Sequence, residues 1–316
     1  MIEENRAEFE KAGILKWHEA GYKGQGIRVA VLDSQPHLPE YMAKTGKYHD
    51  IFNESKDTAA DNGHCAYVAR VIHEVAPEAD IYMFYADPGI KYIQSHKGEF
   101  DIANLSMSIL KYPDLGIPLC ASSGNEGDID CRDKIAGADV ILVGAWYESV
   151  DHRTEYSNGG DALTCVGYTN IHVPTPTPGY TVPFGGTSCA TPFVTGLLAL
   201  WMSKVGPKSL AECKEFIKDN CVDKASPGKD DGSGYGLFVL PDPDEVSEEV
   251  KEVDEMAVIK MKLGSDVATV DGKTVKLDTV PFVKDSRTFV PIRFIAENLG
   301  CTVDYNSKTK EITIVS

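Results

Sequence analysis

The spacing of apolar positions changes character along this chain. Ile27-Arg-Val-Ala-Val-Leu-Asp33 is an almost unbroken apolar run closed by an acid, the pattern of a buried strand. Asp61-Asn-Gly-His64 predicts a glycine turn, after which a histidine opens a helix running on toward Ile72. The small-residue segment Phe184-Gly-Gly-Thr-Ser-Cys-Ala-Thr-Pro192 leads at once into the apolar run Phe193–Met202. Pro192 suits the first turn of a helix, so this run predicts a buried helix entered through a tight turn that carries Ser188. Beyond Pro241 the pattern shortens and alternates. Val258–Leu263, Val267–Val270 and Thr274–Leu277 read as strands, with Asp271-Gly272 as a hairpin turn. Phe289–Leu299 has helical spacing and Gly300 stops it. Thr302–Tyr305 and Glu311–Val315 bracket the turn Asn306-Ser307-Lys308 and predict a second hairpin. Between the two regimes, Asp242–Glu255 holds eight acids and one lysine, seven of the seventeen net negative charges. Such a stretch reads as a solvated linker, extended and mobile or else partly helical.

Length and charge narrow the function class. At 316 residues the chain has room for one substantial α/β domain and a smaller one. A net charge of −17 argues against nucleic acid or an anionic membrane as partner. No apolar run is long enough to cross a membrane. The acidic start, Met-Ile-Glu-Glu-Asn-Arg, lacks the pattern of a secretory signal. The eight cysteines (65, 120, 131, 165, 189, 213, 221 and 301) show neither a CxxC pair nor a dense framework. Cys65 and Cys189 are read as small buried residues, and reduced thiols in cytoplasm fit this usage.

The candidate chemistry centres on Ser188. A turn entering a helix places its hydroxyl at the positive helix end, where developing negative charge is favoured. A serine hydroxyl attacks only when a base takes its proton and a carboxylate orients that base. His64 and Asp33 are the candidates. Singly, Asp33 is a loop acid, His64 a helix-terminal histidine and Asn125 a turn residue beside glycine. Together, a strand-end acid, a helix-start histidine and a turn-presented serine make one machine.

These residues resemble the subtilisin family of serine proteases. Four blocks match in order: Val29-Ala-Val-Leu-Asp33, Asn62-Gly-His64 through Val68-Ala69, Ser123-Gly-Asn125-Glu-Gly127, and Gly186-Thr-Ser188-Cys-Ala-Thr-Pro192. Asn104-Leu-Ser-Met107, Val143-Gly-Ala145, Tyr156-Ser-Asn158 and Gly234-Tyr-Gly236 add further likeness, and the whole covers about residues 15–240. The resemblance implies a doubly wound, mostly parallel α/β sheet. It implies Asp33, His64 and Ser188 as triad and Asn125 as oxyanion donor. Ser106, Met107 and Ser108 on one side, and Ser122, Ser123 and Gly124 on the other, then wall the pocket for the residue before the scissile bond. Those walls are small and uncharged, so Leu, Phe, Tyr or Met is expected there.

The chain departs from that family in ways that imply a pared-down scaffold. Only about ten residues separate Ser108 from the strand near Leu119, where the family has a helix. Ala86–Asp101, at the edge where substrate peptides pair, is short. The helix after His64 runs to Val75 without the loop that houses calcium in many relatives, so calcium is not supported and no cofactor is indicated.

The tail resembles the copper amine oxidase N-terminal-like domain through Val270-Asp-Gly-Lys273, Arg287-Thr-Phe-Val-Pro-Ile-Arg293 and Ala296-Glu-Asn-Leu-Gly300. Residues 257–316 contain no histidine and one cysteine, too few soft ligands for copper. They are expected to fold as a small α+β module around Val270, Leu277, Phe289, Ile292, Phe294, Ile295 and Ile312, binding or spacing an unidentified partner. The expected organisation is a peptidase domain at 1–241, an acidic linker at 242–256 and the small domain at 257–316. The reading is a serine endopeptidase acting on protein or peptide. One alternative is a pseudo-protease or peptide-binding regulatory module that keeps the fold. The other makes the C-terminal domain the functional centre.

Overall fold

A computed structural model describes residues 2–34, 36, 38–51, 63–107, 112–127, 139–147, 152–247, 259–270, 272–284, 287–298, 302–306 and 308–315. Asp61, Asn62, Ser108, Asp271, Gly300 and the linker stretch 248–256, all used above, lie outside the described residues. The chain divides into two compact units, residues 1–248 and 249–316.

In the first unit the elements follow in the order α1 (Arg6–Lys11), α2 (Ile14–Glu19), β1 (Arg28–Asp33), α3 (Glu40–Ala43), β2 (Tyr48–His49), α4 (His64–Val75), β3 (Asp80–Tyr85), α5 (Ala86–Ser95), β4 (Ile102–Leu105) and β5 (Leu119–Ser122). There follow β6 (Ile141–Tyr147), β7 (His152–Arg153), β8 (Cys165–Tyr168), β9 (Ile171–Pro174), β10 (Thr181–Phe184), α6 (Thr187–Val205), α7 (Leu210–Asp219), β11 (Cys221–Val222) and β12 (Leu237–Phe238). One sheet runs β11-β12-β8-β6-β5-β4-β1-β3-β2, with β7 paired to β6. Its ladders are parallel except β11–β12 and β6–β7. The fully buried patterns of β4, β5 and β8 are what a sheet covered on both faces demands.

The register shows which helix covers which face. Val31, Asn104 and Cys120 are neighbours across β1, β4 and β5, so they share a face. Helix α6 lies there, since the Thr195 hydroxyl donates to Asn104 Oδ1 at 3.0 Å. Leu32 faces the other way and meets α5, where a Cβ on Gly89 would come within 2.6 Å of Leu32 Cδ2. The sheet is therefore doubly wound, as the sequence implied. Strand β1 has β3 on one side and β4 on the other, so the chain changes its winding direction beside β1. The carboxyl ends of strands at such a switch form the crevice where α/β folds bind ligands.

The pared-down features are visible in the described residues. Strand β3 ends at Tyr85 and α5 begins at Ala86, with no loop between them. Residues 112–118, on the crossover from β4 to β5, form no helix. Tyr112 and Leu115 are buried there instead, and the Tyr112 hydroxyl donates to the Ser122 carbonyl at 3.2 Å. Helix α4 runs from His64 to Val75 without interruption.

Two expectations are corrected in the first unit. Helix α6 begins at Thr187, so Pro192 lies inside it and not in its first turn. The acidic stretch is not free from its start: Trp17 Nε1 donates to the Pro241 carbonyl, Lys16 pairs with Asp242 at 2.9 Å and Lys204 donates to the Pro243 carbonyl. Pro243 is buried within a short 3₁₀ turn, Pro243–Glu245. These contacts tie the first residues of the expected linker to the first unit.

The second unit holds a three-stranded antiparallel sheet of β13 (Ile259–Met261), β14 (Val267–Val270) and β15 (Lys273–Lys276). The hairpin β16 (Phe282–Lys284)–β17 (Arg287–Phe289), helix α8 (Ile292–Asn298) and the hairpin β18 (Thr302–Asn306)–β19 (Glu311–Val315) complete it. Leu277 is buried together with Ala268 and Ala296, but Phe289, Ile292 and Ile312 are exposed, against expectation. Among the described residues its strands pair as three separate small sheets. Helix α8 starts at Ile292, after Pro291, because Phe289 is taken by β17.

Helices α4 and α6, which carry His64 and Ser188, pack tightly at Gly196. A Cβ there would lie 2.7 Å from Val75 Cβ, with no flexible side-chain end to yield. Gly196→Ala is expected to lower stability by about 1–3 kcal/mol, since overpacking outweighs the helix preference of alanine. Thermal melting monitored by circular dichroism checks this, and an unchanged or raised melting temperature contradicts it.

Candidate active site

Asp33 is the last residue of β1 and is fully buried. A buried carboxylate needs charged or polar partners. The Ser34 N–H donates to Oδ1 at 2.6 Å, and the His64 imidazole meets both oxygens through Nδ1, at 2.8 and 2.9 Å. His64 stands at the first turn of α4, and its side chain is 37% exposed. With Nδ1 committed to Asp33, Nε2 is the ring nitrogen open to exchange a proton.

Ser188 is the second residue of α6 and is partly exposed. Gly186 before it has φ +81°, a backbone region that side chains avoid, and this delivers the sharp entry to the helix. The Ser188 hydroxyl donates to the Ser106 carbonyl at 3.1 Å. Among the described residues no hydrogen bond joins Ser188 to His64. Pro192 has no N–H, so the Ser188 carbonyl lacks the usual helical donor four residues on. The Ser188 N–H is a first-turn donor with no acceptor inside the helix.

Asn125 lies in the loop after β5, exposed, next to Gly124 with φ +106°. Its Oδ1 accepts from both the Thr187 N–H at 2.9 Å and the Thr187 hydroxyl at 3.0 Å. The Thr187 N–H can only donate, so the atom facing it is the amide oxygen, and the Nδ2 donor is left pointing elsewhere. Asn125 thus caps α6 from a distant loop. This contact also explains the early start of α6: the cap satisfies Thr187 before Pro192 is reached.

The structure brings Asp33 and His64 into contact, and sets Asn125 and Ser106 against the Thr187–Ser188 turn. Asp33, Ser106 and Asn125 all stand at or just past carboxyl ends of β1, β4 and β5, at the topological switch. Of the expected pocket walls, Ser106, Ser122, Ser123 and Gly124 are buried and Met107 packs partly exposed against the core; Ser108 is outside the described residues. The Ser123 hydroxyl is committed to the Asn158 carbonyl at 3.0 Å, so this part of the wall presents backbone.

Two supporting sets were not assigned from sequence. Asn158, fully buried, holds the Asn125 loop: its Nδ2 donates to the Ser123 carbonyl at 3.0 Å and to Glu126 Oε2 at 2.6 Å, and its Oδ1 accepts the Glu126 N–H at 3.1 Å. Beneath Ser106, Thr195 donates to Asn104 Oδ1, and Asn104 Nδ2 donates to Ser106 Oγ at 3.0 Å. Both asparagines sit in stretches that had shown likeness, but nothing local marks a side chain whose partner lies 32 or 91 residues away. Cys65 and Cys189 border the site and are fully buried. Burial, and then the Asp33 charge, pushes the Cys65 thiol well up; burial pushes Cys189 up to about 12. A thiol so disfavoured from ionising is a poor nucleophile.

Residues 24–236 match the model of the subtilase family, and residues 241–314 match that of the copper amine oxidase N-terminal domain. The chain is 29% identical to the minor extracellular protease Epr of Bacillus subtilis over 253 residues, covering 70% of this chain and 39% of that protein. It is 29% identical to an intracellular serine protease of Paenibacillus polymyxa over 225 residues, 58% of this chain and 68% of that one. Among solved structures, a lanthipeptide protease superposes with a TM-score of 0.60 at 17% identity, covering 75% of this chain and 94% of that chain.

Asn158→Ala removes three hydrogen bonds that hold the Asn125 loop, one of them to the carbonyl of the buried Ser123. Loss of the buried donor is expected to cost about 1–3 kcal/mol, so the melting temperature should fall by several degrees. A melting temperature equal to that of the unaltered chain contradicts the role assigned to Asn158.

Proposed function

This chain belongs to the subtilase family, and on that premise we propose that it is a serine endopeptidase acting through Asp33, His64 and Ser188. The observation that carries the proposal is the buried Asp33 carboxylate gripping His64 Nδ1 with both oxygens, at 2.8 and 2.9 Å. That contact fixes the tautomer in which Nε2 accepts a proton. Ser188 Oγ leaves its resting bond to the Ser106 carbonyl, passes its proton to His64 Nε2 and attacks the peptide carbonyl. Asp33 stabilises the imidazolium, which then protonates the leaving amine. Water repeats the sequence to release the acyl group. The oxyanion is met by Asn125 Nδ2 and the Ser188 N–H, both free of intrahelical duty. The resting Ser188–Ser106 bond is compatible with this, since catalytic hydrogen bonds commonly tighten only when substrate is bound.

Ser106, Met107 and Ser108, with Ser122, Ser123 and Gly124 opposite, supply the pocket for an apolar residue before the scissile bond. Residues 1–241 hold the chemistry and 257–316 act as a binding or spacing module. The free Cys65, Cys120, Cys165, Cys189, Cys213 and Cys221 support residence in a reducing compartment such as cytoplasm. Two observations favour the rival reading, a peptide-binding module without turnover: Ser188 bonds Ser106 and not His64, and β3 enters α5 with no loop for a substrate strand.

Ser188→Ala decides between them. Turnover of peptides is expected to fall on the order of 10⁶-fold, the scale known for loss of the subtilisin nucleophile, with circular dichroism unchanged. Hydrolysis persisting in the variant contradicts the proposal. Asn125→Ala is expected to lower kcat by about 10²–10³-fold with KM little changed, the scale known for the corresponding subtilisin donor. If Asn125 serves only as a cap for α6, stability falls while turnover per folded molecule stays the same.

A further inference from the structure

We propose that Tyr67 is a positioning residue for His64, clamped by the buried Arg70 and acting through Phe184. This rests on the reading of His64 as general base.

The hydrogen bonds to Asp33 hold His64 at one ring nitrogen only, and its side chain is 37% exposed. Held at one edge, an imidazole is free to swing its other nitrogen unless something flanks the ring. Phe184 flanks it, with ring centroids 5.6 Å apart and planes at 76°, an edge-to-face arrangement. Phe184 is itself held by Tyr67, stacked at 5.4 Å and 18°. Tyr67 in turn lies against the Arg70 guanidinium, 5.1 Å from its ring centroid, while Tyr41 takes the other contact at 5.0 Å. Arg70 is fully buried, and its Nε also reaches Met42 Sδ at 3.4 Å. The result is one series of contacts, Tyr41–Arg70–Tyr67–Phe184–His64.

The series joins three separate elements. Tyr41 is on α3; His64, Tyr67 and Arg70 are three residues apart on α4; Phe184 ends β10. Residues at that spacing on a helix are neighbours along one side. Phe184 lies four residues before Ser188 and leads into the Gly186 turn. The stack therefore ties the helix carrying the base to the strand delivering the nucleophile. Asp33 sets where His64 is held; the stack sets which way its free edge points. A cation clamped between two tyrosine rings is a stiff foundation for that purpose, because guanidinium planes prefer ring faces and Arg70 has no solvent to turn toward.

The test is the rate at which a small fluorophosphonate labels Ser188 in the full chain, which needs no knowledge of the natural substrate. Tyr67→Leu is expected to slow the limiting labelling rate about 10- to 100-fold, the scale of misplaced reacting groups, with the half-saturating reagent concentration little changed. Tyr67→Phe keeps the ring and should label close to the unaltered rate. Arg70→Met, which removes the clamp from below, should slow labelling in the same way. Rates are taken per folded molecule, so a loss of stability alone does not imitate the effect. Equal labelling rates in whichever of Tyr67→Leu and Arg70→Met folds overturn the positioning role. An unaltered chain that labels at Ser188 in the same experiment shows that the function reading survives that failure; one that labels nowhere overturns both.

Discussion

A fully buried carboxylate at the end of the central strand governs this molecule. Asp33 lies where water cannot solvate it, so its charge has to be met by donors built into the fold. Its own neighbour Ser34 gives one N–H, and His64 gives the other partner. For His64 to arrive there, α4 must begin at that residue, directly against the end of β1. Helix α4 then sets the place of α6 through the tight seat of Gly196 on Val75, and Ser188 stands in the first turn of α6. The position of Ser188 thus follows from how one charge is satisfied.

A second constraint meets the first at the same crevice. The entrance of α6 is held from the β5 loop by Asn125, and that loop is held by Asn158. The two Thr187 donors fix which way the Asn125 amide is turned, with Oδ1 toward the helix. Below, Thr195 and Asn104 brace Ser106, whose carbonyl keeps the Ser188 hydroxyl at rest. Buried networks of this kind raise the cost of removing any member, because each deletion strands the others.

Much of the fold was legible in the sequence wherever structure is local. The apolar run before Asp33, the glycine before His64 and the apolar run after Ser188 became β1, α4 and α6. The hairpin patterns of the tail became β14–β15 and β18–β19. What could not be read was set by distant partners. Helix α6 starts earlier than its proline suggests because its cap comes from Asn125, 62 residues earlier. Pro192 suggested a first turn, yet an interior proline is tolerated where only the Ser188 carbonyl loses a donor. In the tail, Phe289, Ile292 and Ile312 have the periodicity of core residues but lie exposed, because periodicity gives a face and not the layer that covers it. The contacts between Tyr67 and Phe184 carry no local mark at all.

The central claim is that Ser188 is a nucleophile served by His64 and by an oxyanion site at Asn125. The most direct measurement is a crystal structure of the chain after reaction with a small fluorophosphonate. The account predicts phosphorus bonded to Ser188 Oγ, the Ser106 carbonyl released, and a phosphoryl oxygen within hydrogen-bond reach of Asn125 Nδ2 and the Ser188 N–H. An unreacted Ser188 still donating to the Ser106 carbonyl, or an adduct whose oxygen turns away from Asn125, would contradict it.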